Sequence, residues 1–99
     1  TGLLQALAHQ DNSVRAWAAW TLGQIGTEAV VIKLEQALKH NVSPVRIWAT
    51  WALGQIGSEE AIKALIKALD RKDASVRWRA AAALGKNGAK VAVDKLAQA

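Results

Sequence analysis

The chain has 99 residues, 52% of them hydrophobic and 21% charged, with a net charge of +5, the balance of one globular domain rather than a disordered segment. It contains no Cys, which excludes a disulfide framework and thiolate chemistry and leaves the redox compartment open. No apolar run approaches the ~18 residues that span a bilayer; no signal-peptide pattern or initiator Met opens the chain, so a cytoplasmic setting is expected and Thr1 is not expected to be the natural start.

The same residues return every 31 positions: Val14-Arg15, Val45-Arg46 and Val76-Arg77; Leu22-Gly23, Leu53-Gly54 and Leu84-Gly85; Gly26, Gly57 and Gly88. The thirteen-residue blocks beginning at Val14 and Val45 are identical at ten positions. A fixed period of this size is the signature of stacked repeats.

Thr1 aligns with Ile32, so the chain opens partway through a helix carrying Leu3, Leu4 and Leu7. The next helix presents Val14, Ala18, Leu22 and Ile25 as a stripe of period near 3.6 and stops at Gly26, a natural left-handed C′ residue. Glu28 begins the following helix, where a negative charge suits the dipole, and Val31, Leu34 and Leu38 form its stripe. Ser43-Pro44 reads as N-cap then N1 of the next helix, which stops at Gly57. Glu59 and Glu60 begin another, with Ile62, Leu65 and Leu69 on its stripe. The helix after Val76 is predicted to stop at Gly88, and Val93 and Leu96 belong to a last one. The predicted units are a partial first hairpin over 1–26, a second over 27–57, a third over 58–88, and over 89–99 the terminal helix of a further, incomplete repeat.

A single hairpin of this kind cannot bury both of its stripes, and stacking on neighbours solves that problem. Ala18, Ala19, Ala49, Ala80 and Ala81 let helix axes approach at the short end of the ~8–10 Å range. Gly23, Gly54 and Gly85 lie inside helices, where Gly costs ~1 kcal/mol against Ala; their regular placement implies close backbone packing once per repeat. The fold class is all-α, an α-solenoid.

The blocks VRAWAAWTLGQIG and VRIWATWALGQIG resemble the PBS-lyase-type HEAT-like repeat family, and EEAIKALIKAL fits the preceding helix of that family and of the artificial consensus scaffolds derived from it. The resemblance implies a right-handed superhelix of HEAT-like helical hairpins. For function it implies interaction scaffolds, chromophore-lyase subunits and, more distantly, HEAT-like DNA glycosylases. Departures from the pattern point to a natural sequence: His9, His40 and Arg71 stand where the family has an acidic residue, Val42 replaces the Asp of Asp11 and Asp73, and Asn87 puts an amide at the otherwise apolar position of Ile25 and Ile56. Leu3, Leu4 and Leu7 do not form a polar cap, so a longer parent array or self-association through the ends is expected.

Five Trp in 99 residues are the functional clue. Trp17 matches Trp48 and Trp20 matches Trp51, with Trp78 displaced by one. Residues three apart share a helix face, and the face of Ser13, Ala16, Trp17, Trp20 and Gln24 lies opposite the Val14, Ala18, Leu22, Ile25 stripe. In solenoids of the resembled family this second helix lines the concave surface. The resemblance therefore implies a Trp-lined groove built from Trp17, Trp20, Trp48, Trp51 and Trp78 with Gln24 and Gln55, basic at the end where Arg79 and Lys86 stand. Trp is enriched at binding hot spots, so a protein or peptide partner is expected, with the alternative that the rings pack between repeats. Arg15, Arg46 and Arg77 form a ladder for which the family's Arg implies a structural role between repeats. His9 and His40, held ~10 Å apart by stacking, are too distant to share a metal, and no cofactor is called for. No Ser–His–Asp set, paired carboxylates or phosphate-cradling Gly loop is present, so catalysis is not expected. Nucleic-acid binding at the basic end and an accessory role in a chromophore lyase are the alternatives.

Overall fold

Capping chemistry sets the helix boundaries. Asp11 accepts the Ser13 N–H at 2.8 Å, Thr27 Oγ1 accepts from Val30 at 3.3 Å, Ser58 Oγ from Ala61 at 3.2 Å, and Asp73 from Ser75 at 2.9 Å, each satisfying a donor that the first turn leaves orphaned. Gly26 and Gly57 close their helices in the left-handed region at φ 55° and 63°. The computed structural model describes residues 2–40 and 42–98, with side chains described as far as Gly88. The elements are α1 (Gly2–Ala6), α2 (Asn12–Ile25), α3 (Glu28–Ala37), α4 (Ser43–Ile56), α5 (Glu59–Ala68) and α6 (Ala74–Gln98); among the described residues there is no strand.

The helices stack in two layers. α2, α4 and α6 pack in sequence on one side, α3 and α5 on the other, and each hairpin closes through α1 on α2, α3 on α4 and α5 on α6 or its neighbour. The molecule is elongated, 47 × 27 × 22 Å, as expected when each unit touches mainly its neighbours. Ala18, Ala49 and Ala80, one per repeat, are fully buried, and their small side chains keep the second helices of successive hairpins close. Leu7, Leu34, Leu53 and Leu65 fill the interior between layers, each contributing about 1.5–3 kcal/mol by leaving water. Thr50, buried among them, satisfies its hydroxyl by donating to the Arg46 carbonyl at 2.7 Å.

Several expectations are corrected. The N-cap of α4 is Val42, and Ser43 is its first residue. Val42 makes no side-chain cap bond, and Pro44 explains why none is missed: it stands two residues on, where Asp11 and Asp73 collect the N–H of Ser13 and Ser75, and Pro has no N–H. Ile25 (46% exposed) and Leu69 (38%) are only half covered, and Ala81 is exposed, because each lies on an outer hairpin with no further one stacked against it among the described residues. Gly54 is a point of close approach, since a Cβ there would sit 2.8 Å from the Ala83 Cβ, and Gly23 similarly meets the Gln55 Cβ at 3.0 Å; Gly85 has nothing within 4 Å.

Gly88 does not end its helix: α6 runs on to Gln98. The next residue supplies the reason. Thr27 and Ser58 follow Gly26 and Gly57 and cap the next helix, with Glu28 and Glu59 behind them; Ala89 and Lys90 follow Gly88, offering neither a side-chain acceptor nor a negative charge for a helix N-terminus. Without a new start, helix continuation keeps the backbone hydrogen bonds that a stop would forfeit.

Candidate functional site

The five indoles lie on α2, α4 and α6, three of them turned outward. Trp17 and Trp20 are 60% and 54% exposed and Trp78 is 68% exposed. Trp48 and Trp51 are half-buried and pack against the core, their rings edge to face at 5.9 Å and 75°, a contact worth about 0.5–1.5 kcal/mol beyond its area. The expectation that all five project away from the interior therefore holds for α2 and α6 and only in part for α4, the middle helix, which has a neighbour on either side. The Arg79 guanidinium lies over the Trp78 ring at 5.8 Å, within range of a cation–π attraction.

Between α4 and α6 these residues enclose a recess of about 300 Å³, lined by Trp51, Gly54 and Gln55 on one side and Trp78, Arg79, Ala82, Ala83 and Lys86 on the other. Its floor is the Gly54–Ala83 contact. The structure thus brings together Trp51, Gln55, Trp78, Arg79 and Lys86; Trp17, Trp20 and Gln24 stay on α2, and Trp48 lies outside the recess. Ala82 and Ala83 are lining residues that the search for aromatic and charged side chains misses. The signal available was the period, since Ala82 occupies the register of Trp20 and Trp51.

The arginines that recur every 31 residues bind the hairpin turns. Arg15 Nη1 donates to the carbonyls of His9 and Gln10, and Arg77 Nη1 to those of Arg71 and Lys72, both at 2.8 Å. Arg46 Nη1 takes the His40 carbonyl at 2.7 Å, while its Nε and Nη2 reach Asp73 of the next hairpin at 3.1 and 2.9 Å. That hydrogen bond first, then the Ser75 and Val76 N–H groups and the Arg46 charge, hold the Asp73 carboxyl below the usual carboxylate range against the opposing effect of burial. His9 and His40 belong to the same turns: Nδ1 of each accepts the N–H two residues on, from Asp11 and Val42, at 3.0 Å.

A family model of HEAT repeats matches residues 2–53 and 33–99. The chain belongs to the HEAT repeat family. Among solved structures it is similar to human deoxyhypusine hydroxylase, with 28% identity and a TM-score of 0.66 over 87% of this chain and 31% of that one. It is similar also to the CpcE–CpcF complex of phycocyanin lyase from Nostoc, with 33% identity and a TM-score of 0.61 over 82% of this chain and 34% of that one. The chain spans about a third of the length of each. No curated protein sequence matches it. The family resemblance carried by VRAWAAWTLGQIG is thereby borne out.

Within this HEAT repeat framework the turns are held by the hydrogen bonds of Arg15, Arg46 and Arg77, and α2 and α6 expose Trp17, Trp20 and Trp78. Among the described residues there is no cluster of three or more His, Asp or Glu placed to hold a metal, and no helix long and apolar enough to cross a membrane.

Proposed function

We propose that this HEAT repeat chain is a non-catalytic protein- or peptide-binding module whose indole face on α2, α4 and α6 forms a concave groove. The observation that carries the reading is the exposure of Trp17, Trp20 and Trp78, each more than half in solvent, on the one face where successive repeats also place Gln24, Gln55, Arg79 and Lys86. Large apolar side chains collected on one surface mark interaction sites, and Trp supplies wide contact area with few rotamers to freeze. The test is selection of random peptides on the immobilised chain, followed by titration calorimetry of a selected peptide with each Trp→Ala variant. Hot-spot indoles lose about 2–4 kcal/mol of binding, and dissociation constants unchanged across all five variants would remove the reading.

The similarity to CpcE and CpcF favours a second reading, an accessory subunit of a lyase of that kind; it rests on analogy of fold. Self-association through the first hairpin is supported by an apolar hollow lined by Leu3, Leu4, Ile25, Ala29 and Val30, and sedimentation against concentration tests it.

A further inference from the structure

The junction between α4 and α6 lacks two indoles that its counterpart has. Thirty-one residues before Ala82 stands Trp51, and before Arg79 stands Trp48, the pair that packs edge to face on α4. On α6 neither ring is present, and the space beside Trp51 is an open recess of about 300 Å³. Between Gly54 and Ala83 there is no room to spare, because a Cβ at Gly54 would sit 2.8 Å from the Ala83 Cβ. Trp51 and Trp78 supply the apolar walls, and Arg79 and Lys86 stand at the rim with no Asp or Glu among the lining residues. Neither cation has an ion-pair partner among the described residues.

The geometry points to a socket for one aromatic side chain of an acidic peptide. The ring takes the place of the missing indole, against Trp51 and Trp78 and over Ala82 and Ala83. Carboxylates flanking it in the peptide meet Arg79 and Lys86 in charge-assisted hydrogen bonds. A recess at the small end of the ~300–1,000 Å³ range of ligand pockets suits a single ring. Charge distribution favours a peptide over a nucleic acid: a strand lying along the face would carry a phosphate at every step, and beyond this socket the face offers Trp17, Trp20, Gln24 and Trp48 with no Lys or Arg. The inference rests on the peptide-binding reading and narrows it to one end of the face and one class of sequence.

Titration calorimetry with four probes tests it: a short peptide of Asp and Glu around a central Phe, the same peptide with Ala at the centre, a Phe peptide with Lys in place of the acids, and a thymidine oligonucleotide. The acidic Phe peptide should bind at least about tenfold more tightly than the other three. Ala82→Trp, which fills the socket from an exposed helix position, should weaken that binding by at least about tenfold, and so should the surface pair Arg79→Glu, Lys86→Glu. Gln36→Ala, at an exposed position of α3 in the opposite layer, should change it by less than about threefold. Circular dichroism confirms that each variant is folded. Undiminished binding in Ala82→Trp, or equal binding of the Ala-centred peptide, overturns the socket; if Trp17→Ala or Trp20→Ala then weakens the same peptide, the groove reading stands without it. Oligonucleotide binding that Ala82→Trp abolishes overturns the choice of peptide. Binding of none of the three peptides overturns the socket, and the titrations of selected peptides decide the groove separately.

Discussion

Arg46 joins Asp73 across the boundary between the second and third hairpins, its Nε and Nη2 both donating to the same carboxylate oxygen at 3.1 and 2.9 Å. The same guanidinium holds the turn of its own hairpin through the His40 carbonyl. One repeat earlier the carboxylate is missing: Val42 stands in the register of Asp73, and the buried Nε of Arg15 has no hydrogen-bond partner among the described residues. A buried donor left in that state costs about 1–3 kcal/mol.

Val42→Asp should therefore stabilise the chain. The new carboxylate falls where Arg15 can reach it, and Pro44 presents no N–H to draw it away. A gain of about 1 kcal/mol is expected in urea unfolding, and it should vanish in an Arg15→Lys background, since Lys lacks the Nε–H. A gain that persists in that background would show that capping, and not the arginine, was responsible.

Asp73 predicts an acid dependence of stability. Its carboxyl titrates below the usual range in the folded state because Arg46 hydrogen-bonds it. The sign follows: a depressed folded-state pKa contributes stability that is complete above the unfolded value of about 3.9 and is lost as pH falls through the folded value. Asp73→Asn keeps the capping geometry and removes the charge. The urea midpoints of the two proteins should differ at neutral pH and converge below about pH 4.

The interior glycines should respond in opposite directions. Gly54→Ala places a Cβ 2.8 Å from the Ala83 Cβ, and with no flexible side chain to give way α4 and α6 must part, at a cost of about 1–3 kcal/mol. Gly85→Ala meets nothing within 4 Å and should stabilise α6 by up to about 1 kcal/mol. Gly57 and Gly88 form a second such pair: Gly57→Ala is strained at φ 63° by about 1–2 kcal/mol, whereas Gly88→Ala, inside a continuing helix, gains about 1 kcal/mol. Thermal unfolding of the four variants checks the ordering.

The indoles divide into contact residues and packing residues. Trp48→Ala removes a half-buried ring from the core and from its edge-to-face partner Trp51, and about 2 kcal/mol of stability should go with it, below the ~3–5 of a fully buried Trp. Trp17→Ala and Trp78→Ala should stay within about 0.5 kcal/mol of the parent. Urea titration of the three separates the groups, so that lost binding in the last two can be read as lost contact.

The repeat was legible because every hairpin solves the same packing problem with the same residues, as in the stripe Val31, Leu34, Leu38 and the stops at Gly26 and Gly57. Gly88 misleads because glycine permits a stop without causing one; the following cap, Thr27 or Ser58 in the earlier repeats, makes the break, and Ala89 cannot. Burial at Ile25, Leu69 and Ala81 depends on how many neighbours a hairpin has, which the stripe of one helix does not encode. The Trp residues announced a surface, yet the recess beside Trp51 arises from rings absent at positions 79 and 82, and it becomes visible only when α6 is laid against α4.

The unequal seams have a mechanical consequence. In a linear array, resistance to being pulled apart is set by the weakest junction between neighbours rather than by the average. The third hairpin is riveted to the second through the Arg46–Asp73 ion pair, whereas Val42 supplies no carboxylate at the corresponding point between the first and the second. Stretched along its long axis, the stack should rupture first between α2 and α4, peeling away one hairpin while the other two remain clasped.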